Sequence, residues 1–156
     1  MREILFRGQT RKYGEKVRMG DGQKLPGHWV YGGVLQGVGS HSIIYGGENV
    51  SNPGENLDKW CVHTDTLGQF TGLTDKNGKR IFEGDIVKFT DIPFGYSYTG
   101  SVCFYKGSFC IQYTYWGKDC FHRIGKTEEW RDMGASGTIT FEYEIIGNIH
   151  DNPELI

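Results

Sequence analysis

A chain of 156 residues with a net charge of −2 has room for one domain with a real core, or for two small lobes, and carries no whole-molecule field to draw in DNA or an anionic membrane. At 37% hydrophobic and 23% charged it is no disordered tail. Its 24 Gly, 9 Phe, 9 Tyr and 4 Trp beside only 4 Pro suit short strands joined by tight turns and exclude a helix-rich fold.

The N-terminal stretch is basic: residues 1–24 hold seven basic and three acidic side chains, a local +4, whereas residues 127–156 hold one basic and seven acidic, a local −6. Pairing of these two ends is the preferred reading. The alternative is a nucleic-acid-binding module in which Arg2, Arg7, Arg11, Lys12, Lys16 and Arg18 neutralise phosphates. Met1-Arg2-Glu3-Ile4-Leu5-Phe6-Arg7 has too short an apolar run for a signal peptide, and no later stretch approaches a membrane span, so a cytoplasmic protein without membrane contact is expected.

Residues 1–66 read as an irregular N-terminal β region, with strands at Glu3–Arg7, His28–Leu35, Ser42–Tyr45 and Lys59–Thr64 and a long Gly/Asn/Ser/Pro loop over 46–54. The pattern sharpens over residues 67–156, the second region, which is expected to be a small β-barrel. Phe70–Leu73 and Arg80–Phe89 form a hairpin around Asn77-Gly78, which supplies the left-handed backbone that a tight turn demands, and Gly84-Asp85 reads as a turn into the strand. A second hairpin joins Ser101–Tyr105 to Ser108–Tyr115 through Lys106-Gly107, setting Phe104 opposite Phe109, Val102 opposite Ile111, and Cys103 opposite Cys110. Four apolar side chains are thereby expected on the core face. The reach between Cys103 and Cys110 leaves a disulfide open, and the cytoplasmic setting favours two thiols.

Asp91–Gly100 reads as a polar, aromatic loop. Thr127–Met133 has the signals of a short helix, with Thr127 as N-cap, glutamates in the first turn and Gly134 to end it. An Ala135-Ser136-Gly137 turn follows. Ile139, Phe141, Tyr143 and Ile145 then alternate with polar residues as a strand, whose phase breaks at Ile146-Gly147 as a bulge would break it.

Three segments in this order and spacing resemble the YopX family: Arg2–Arg7; Gln69-Phe70-Thr71-Gly72-Leu73-Thr74-Asp75-Lys76-Asn77-Gly78-Lys79-Arg80-Ile81-Phe82-Glu83-Gly84-Asp85-Ile86-Val87; and Tyr143-Glu144-Ile145-Ile146-Gly147-Asn148-Ile149-His150-Asp151-Asn152-Pro153-Glu154-Leu155. Trp29-Val30-Tyr31-Gly32 and Thr66-Leu67-Gly68 are similar to the family's connecting pattern. The resemblance implies a phage or prophage protein working inside a bacterial host, with an SH3-like barrel in its second half. It implies no activity and no site residues.

Little in the chain points to chemistry. Glu83 with Asp85, His63 with Asp65, His122, and His150 with Asp151 are the catalytic candidates, and a small enzyme around Glu83, Asp85 and His122 is the least favoured reading, since such residues at strand ends usually cap turns. The cysteines Cys61, Cys103, Cys110 and Cys120, spaced by 42, 7 and 10, form no zinc pattern, and no phosphate-binding glycine loop occurs, so neither metal nor cofactor is expected. A non-enzymatic module that binds a host or phage protein, or assembles with itself as a homo-oligomer, fits best. Its aromatic loops offer Phe94, Tyr96, Tyr98, Tyr113, Tyr115, Trp116 and His122 as contact residues, with Phe121 beside them.

Overall fold

The computed structural model describes residues 4–10, 17–18, 24–25, 29–35, 41–45, 59–92, 94–132 and 135–156. Within them the chain is strand after strand: β1 Phe6–Gln9, β2 Val17–Arg18, β3 Lys24–Leu25, β4 Trp29–Leu35, β5 His41–Tyr45, β6 Lys59–His63, β7 Gly68–Thr74, β8 Arg80–Phe82, β9 Asp85–Ile92, β10 Ser97–Tyr105, β11 Ser108–Tyr115, β12 Lys118–Arg123, β13 Glu128–Asp132 and β14 Ala135–Asn148. Helical geometry among the described residues is confined to short 3-10 turns at Thr64–Thr66 and Pro153–Leu155. The fold is mainly β, as composition requires.

The chain divides into two compact units, Met1–Phe70 and Thr71–Ile156. In the first, β6, β5, β4, β1 and the start of β7 are neighbours in that order, all antiparallel. Val30, Ile44 and Val62 make its core, with Leu67 against them. Gly8 must be small here, because a Cβ on it would come within 2.9 Å of Val62 Cγ2. The loop expected over 46–54 lies outside the described residues.

The second unit is built on the order β12-β11-β10-β9-β14-β13. In a flat sheet β12 and β14, four places apart, would be separated by about 19 Å. Yet the rings of His122 on β12 and Phe141 on β14 have centroids 4.2 Å apart. The sheet therefore curls on itself into a half-barrel, compatible with the small barrel expected. Phe89, 1% exposed, sits at the centre of the concave face, with His122, Tyr113 and Tyr98 packed on it at 4.8, 5.2 and 5.3 Å.

The turns carry the backbone signs that the sequence calls for. Gly78 has φ 80°, and the pairs Lys106-Gly107 (47° and 81°) and Trp116-Gly117 (52° and 71°) both adopt the left-handed conformation of a two-residue hairpin. The pairing of Phe104 with Phe109, Val102 with Ile111 and Cys103 with Cys110 is as expected. Phe104, however, is 59% exposed, because the strand runs past the end of the core that holds Val102 and Ile111.

Arg80–Phe89 divides into β8 and β9 at the expected Gly84 turn, where φ is 79° and the N–H donates to the Val102 carbonyl at 2.9 Å. Other local expectations are corrected. Most of the loop expected over Asp91–Gly100 is strand: the Asp91 carboxylate accepts the Tyr96 N–H at 2.9 Å and closes a tight turn, and Tyr98 packs inward on Phe89. Where the helix is expected over Thr127–Met133 the described residues form strand β13, Glu128–Asp132, with Asp132 directly opposite Ala135, and Ala135–Gly137, expected as a turn, belong to strand β14. Seven residues cannot repay helix nucleation when β14 offers a full ladder of hydrogen bonds. In β14 the register slips between Ile145 and Gly147, where the phase of the sequence breaks.

Candidate binding surface

The acidic and amide residues of the strongest motifs serve the fold. Asp75, 6% exposed, accepts backbone N–H groups from Asn77 and Lys79 at 2.9 Å and from Ile145 at 3.2 Å. Asp85, 2% exposed, accepts the Phe82 N–H at 2.8 Å and so closes the turn at Gly84. Asn148 Oδ1 accepts the N–H groups of His150 and Asp151 at 2.9 Å, and its Nδ2 donates to the Asp151 carboxylate at 2.7 Å. A side chain on Gly147 would meet Asn152 Oδ1 at 2.7 Å, so the C-terminal turn can fold back only over a glycine.

His122 lies in the core, away from any loop surface. It is stacked on Phe89 at 4.8 Å and its Nε2 is 3.0 Å from the Tyr143 hydroxyl. That oxygen also accepts the Gly125 N–H at 3.0 Å, so the phenol ties β12 and the following turn to β14. Burial pushes the imidazole pKa below its ordinary value and keeps the ring neutral. Asp85 and His122 thus belong to two different structural bonds, and Glu83 stands in the turn beside Asp85. His63 lends its carbonyl to the Thr66 hydroxyl at 2.7 Å while Asp65 stays exposed, so that pair also serves a turn.

The predicted aromatic residues do gather. Because β9 to β12 run antiparallel, the β9–β10 and β11–β12 turns emerge at the same end of the sheet. Phe94 and Tyr96 stand on the first, 49% and 64% exposed, and Tyr115 and Trp116 at the second, 49% and 86% exposed. Half-buried Tyr98 and Tyr113 join this end to the core: Tyr98 contacts Tyr113 at 5.4 Å and Tyr115 at 5.9 Å, and Tyr115 contacts Trp116 at 6.2 Å. The result is a ladder of rings from Phe89 to solvent.

A second aromatic feature escapes sequence reasoning. Tyr105 and Phe121 stack at 4.0 Å and 12° on the other face of the sheet, with the Lys106 ammonium 5.1 Å from the Tyr105 ring. Its signal is the register of β10, β11 and β12 combined, which needs Trp116-Gly117 to be read as a turn.

Of the basic residues, Arg7 is buried, with its guanidinium 4.7 Å from the centre of the Trp29 ring. Arg2, Arg11, Lys12 and Lys16 lie outside the described residues, and Arg18 is placed only as part of β2. Cys103, Cys110 and Cys120 are free thiols. Burial, reinforced at Cys103 by Cys110 and Glu83, pushes the Cys103 and Cys110 thiols up and keeps them protonated. Among the described residues no group of three or more His, Cys, Asp or Glu side chains is arranged so that it could hold a metal ion, and no helix is long and apolar enough to cross a membrane.

Comparison with curated proteins gives no match. The family model described as YopX protein matches residues 27–156, which takes in the middle and C-terminal motifs but not the Arg2–Arg7 segment. This match covers most of the molecule, and the chain belongs to the YopX family.

Proposed function

We propose that this chain is a non-enzymatic accessory protein of a phage or prophage, working in the bacterial cytoplasm as a protein-interaction module through the aromatic end of its C-terminal sheet. The phage setting follows from what the family resemblance implies. The observation that carries the binding role is Trp116: 86% exposed and at φ 52°, it places the chain's largest side chain in water on a backbone conformation that favours Gly or Asn. Neither packing nor turn chemistry asks for tryptophan there. Strain of this kind at an exposed aromatic supports contact with a partner, where a rigid ring gives large area at low entropic cost.

The enzyme reading around Glu83, Asp85 and His122 draws less support, since the Asp85 carboxylate accepts a backbone N–H and His122 is closed in by rings. The nucleic-acid reading loses Arg7 to the Trp29 face. A pull-down from host lysate with wild type, Trp116→Ala and Tyr96→Ala tests the proposal. A protein captured by wild type and lost from both variants, at unchanged melting temperature, supports it; equal capture by all three, or none by any, overturns it.

A further inference from the structure

The strand order of the second unit ends on β12, whose outer edge has no strand beside it among the described residues. Tyr115 and Lys118 face each other across the two-residue turn and so exchange hydrogen bonds, which sets the alternation along the strand. Lys118, Cys120 and His122 turn their N–H and C=O groups to β11. Asp119, Phe121 and Arg123 turn theirs outward, and all three residues are exposed. Among the described residues the one main-chain bond on that side of Asp119, Phe121 and Arg123 is from the Lys126 N–H to the Arg123 carbonyl at 3.3 Å, which leaves that oxygen a second lone pair. An open edge of this kind is a template for another strand.

We propose that β12 pairs antiparallel with β12 of a second copy of this chain, about a two-fold axis at Phe121, joining two sheets into one. An antiparallel partner must meet the outward amides of Asp119, Phe121 and Arg123 with outward amides of its own. With the axis at Phe121, Phe121 faces Phe121 of the second copy, Asp119 faces its Arg123, and Arg123 faces its Asp119. Both charged pairs are attractive, as an isologous contact requires. Sliding the strands by two residues either way sets a charge opposite Phe121 and leaves the other charge facing a glycine, Gly117 or Gly125. The central register is thus selected by the order Asp119, Phe121, Arg123. In it the Tyr105–Phe121 stack, whose rings are 4.0 Å apart, meets its symmetry mate across the axis. The contact is distinct from the aromatic end, so either proposal stands without the other.

A six-residue edge buries less than a standard interface, so the association is weak and concentration-dependent. Sedimentation equilibrium over rising concentration tests it. Wild type moves toward twice the 17.7 kDa chain mass. Asp119→Arg alone and Arg123→Asp alone each set like charges opposite one another and hold the monomer mass, while the double variant D119R/R123D restores the dimer. Oxidised Phe121→Cys gives a covalent dimer whose peptide map shows a 121–121 link. A wild-type monomer at every concentration, single reversals that leave the dimer unchanged, or cross-links only through Cys103, Cys110 or Cys120 would overturn the proposal. So would a monomer whose capture of a host protein is lost in D119R, since the edge would then serve a foreign strand. Circular dichroism confirms that the variants are folded, and the double variant and the cross-link remain decisive if one single variant is not.

Discussion

The carboxylate of Asp75 receives the backbone N–H of Ile145, 70 residues further along the chain, at 3.2 Å. The neighbouring Lys76 N–H donates to the Tyr143 carbonyl at 2.8 Å, so the hairpin turn is stitched to β14. Two stretches that carry the family signature thereby meet through main-chain bonds, which is a structural reason for both.

Asp75 therefore sets an acid limit on stability. Burial alone would raise its pKa, but the N–H groups of Lys79, Ile145 and Asn77 outweigh burial and hold it below the ordinary 3.8. Since the folded value is the lower one, the carboxylate's contribution is present above the unfolded value and is lost as pH falls through the folded one. Asp75→Asn keeps an acceptor for the turn and loses the one for Ile145. It is expected to cost about 1–3 kcal/mol at neutral pH and to flatten the acid limb of the profile. Urea unfolding from neutral pH downward measures both, and an unchanged profile would mean that the Ile145 bond contributes nothing.

His122 acts in a higher window. Its folded pKa is depressed from 6.5 by burial, so stability is complete above that value and declines as pH falls through the folded one, when the buried ring must take up a charge. His122→Phe keeps a ring against Phe89 and Phe141 and removes the titration. The variant should lose the slope that wild type shows as pH falls below 6.5. A wild-type midpoint that is flat across this window would contradict the burial of a neutral imidazole.

Legibility in the sequence followed the range of the signal. Asn77-Gly78 and Lys106-Gly107 are readable because φ > 0 is a property of the residues in the turn. Trp116-Gly117 makes the same turn with a residue that does not advertise it, and β12 is hidden with it. Without β12 the phase of His122 is unknown, which is why it reads as a surface residue beside Trp116 when its neighbour Phe121 is the one that faces outward. β13 misleads for the opposite reason: Thr127, Glu128 and Glu129 are good local helix signals, and the pairing of Glu128 with Ile139 that defeats them is not local. The aromatic end is legible as composition, but its ladder depends on Tyr98 lying in a strand opposite Phe89.

Gly100 tests the closeness of β10 to β11. An added Cβ would lie 2.1 Å from the Gln112 carbonyl oxygen and 2.8 Å from Ile111 Cγ2, and the nearer contact is backbone, which cannot swing aside. Gly100→Ala should destabilise the fold by about 1–3 kcal/mol, measured by thermal or urea unfolding. A neutral result would show that the two strands separate at little cost.

Trp116 offers the sharpest separation of stability from function. Its φ of 52° is the left-handed region, which costs a bulky L-residue roughly 1–2 kcal/mol and a glycine almost nothing. Asparagine tolerates it, and Asn-Gly is the favoured pair for this turn. At 86% exposed, Trp116 has little burial to set against that strain. Trp116→Asn should therefore raise stability by about 0.5–1 kcal/mol, in the range of compatible turn substitutions, while abolishing capture of a partner at the aromatic end. Unfolding and pull-down on the same preparation decide the matter. A variant that gains stability and still binds would remove the tryptophan from the interface, and one that loses stability would mean that the ring's contact with Tyr115 outweighs the strain of its backbone.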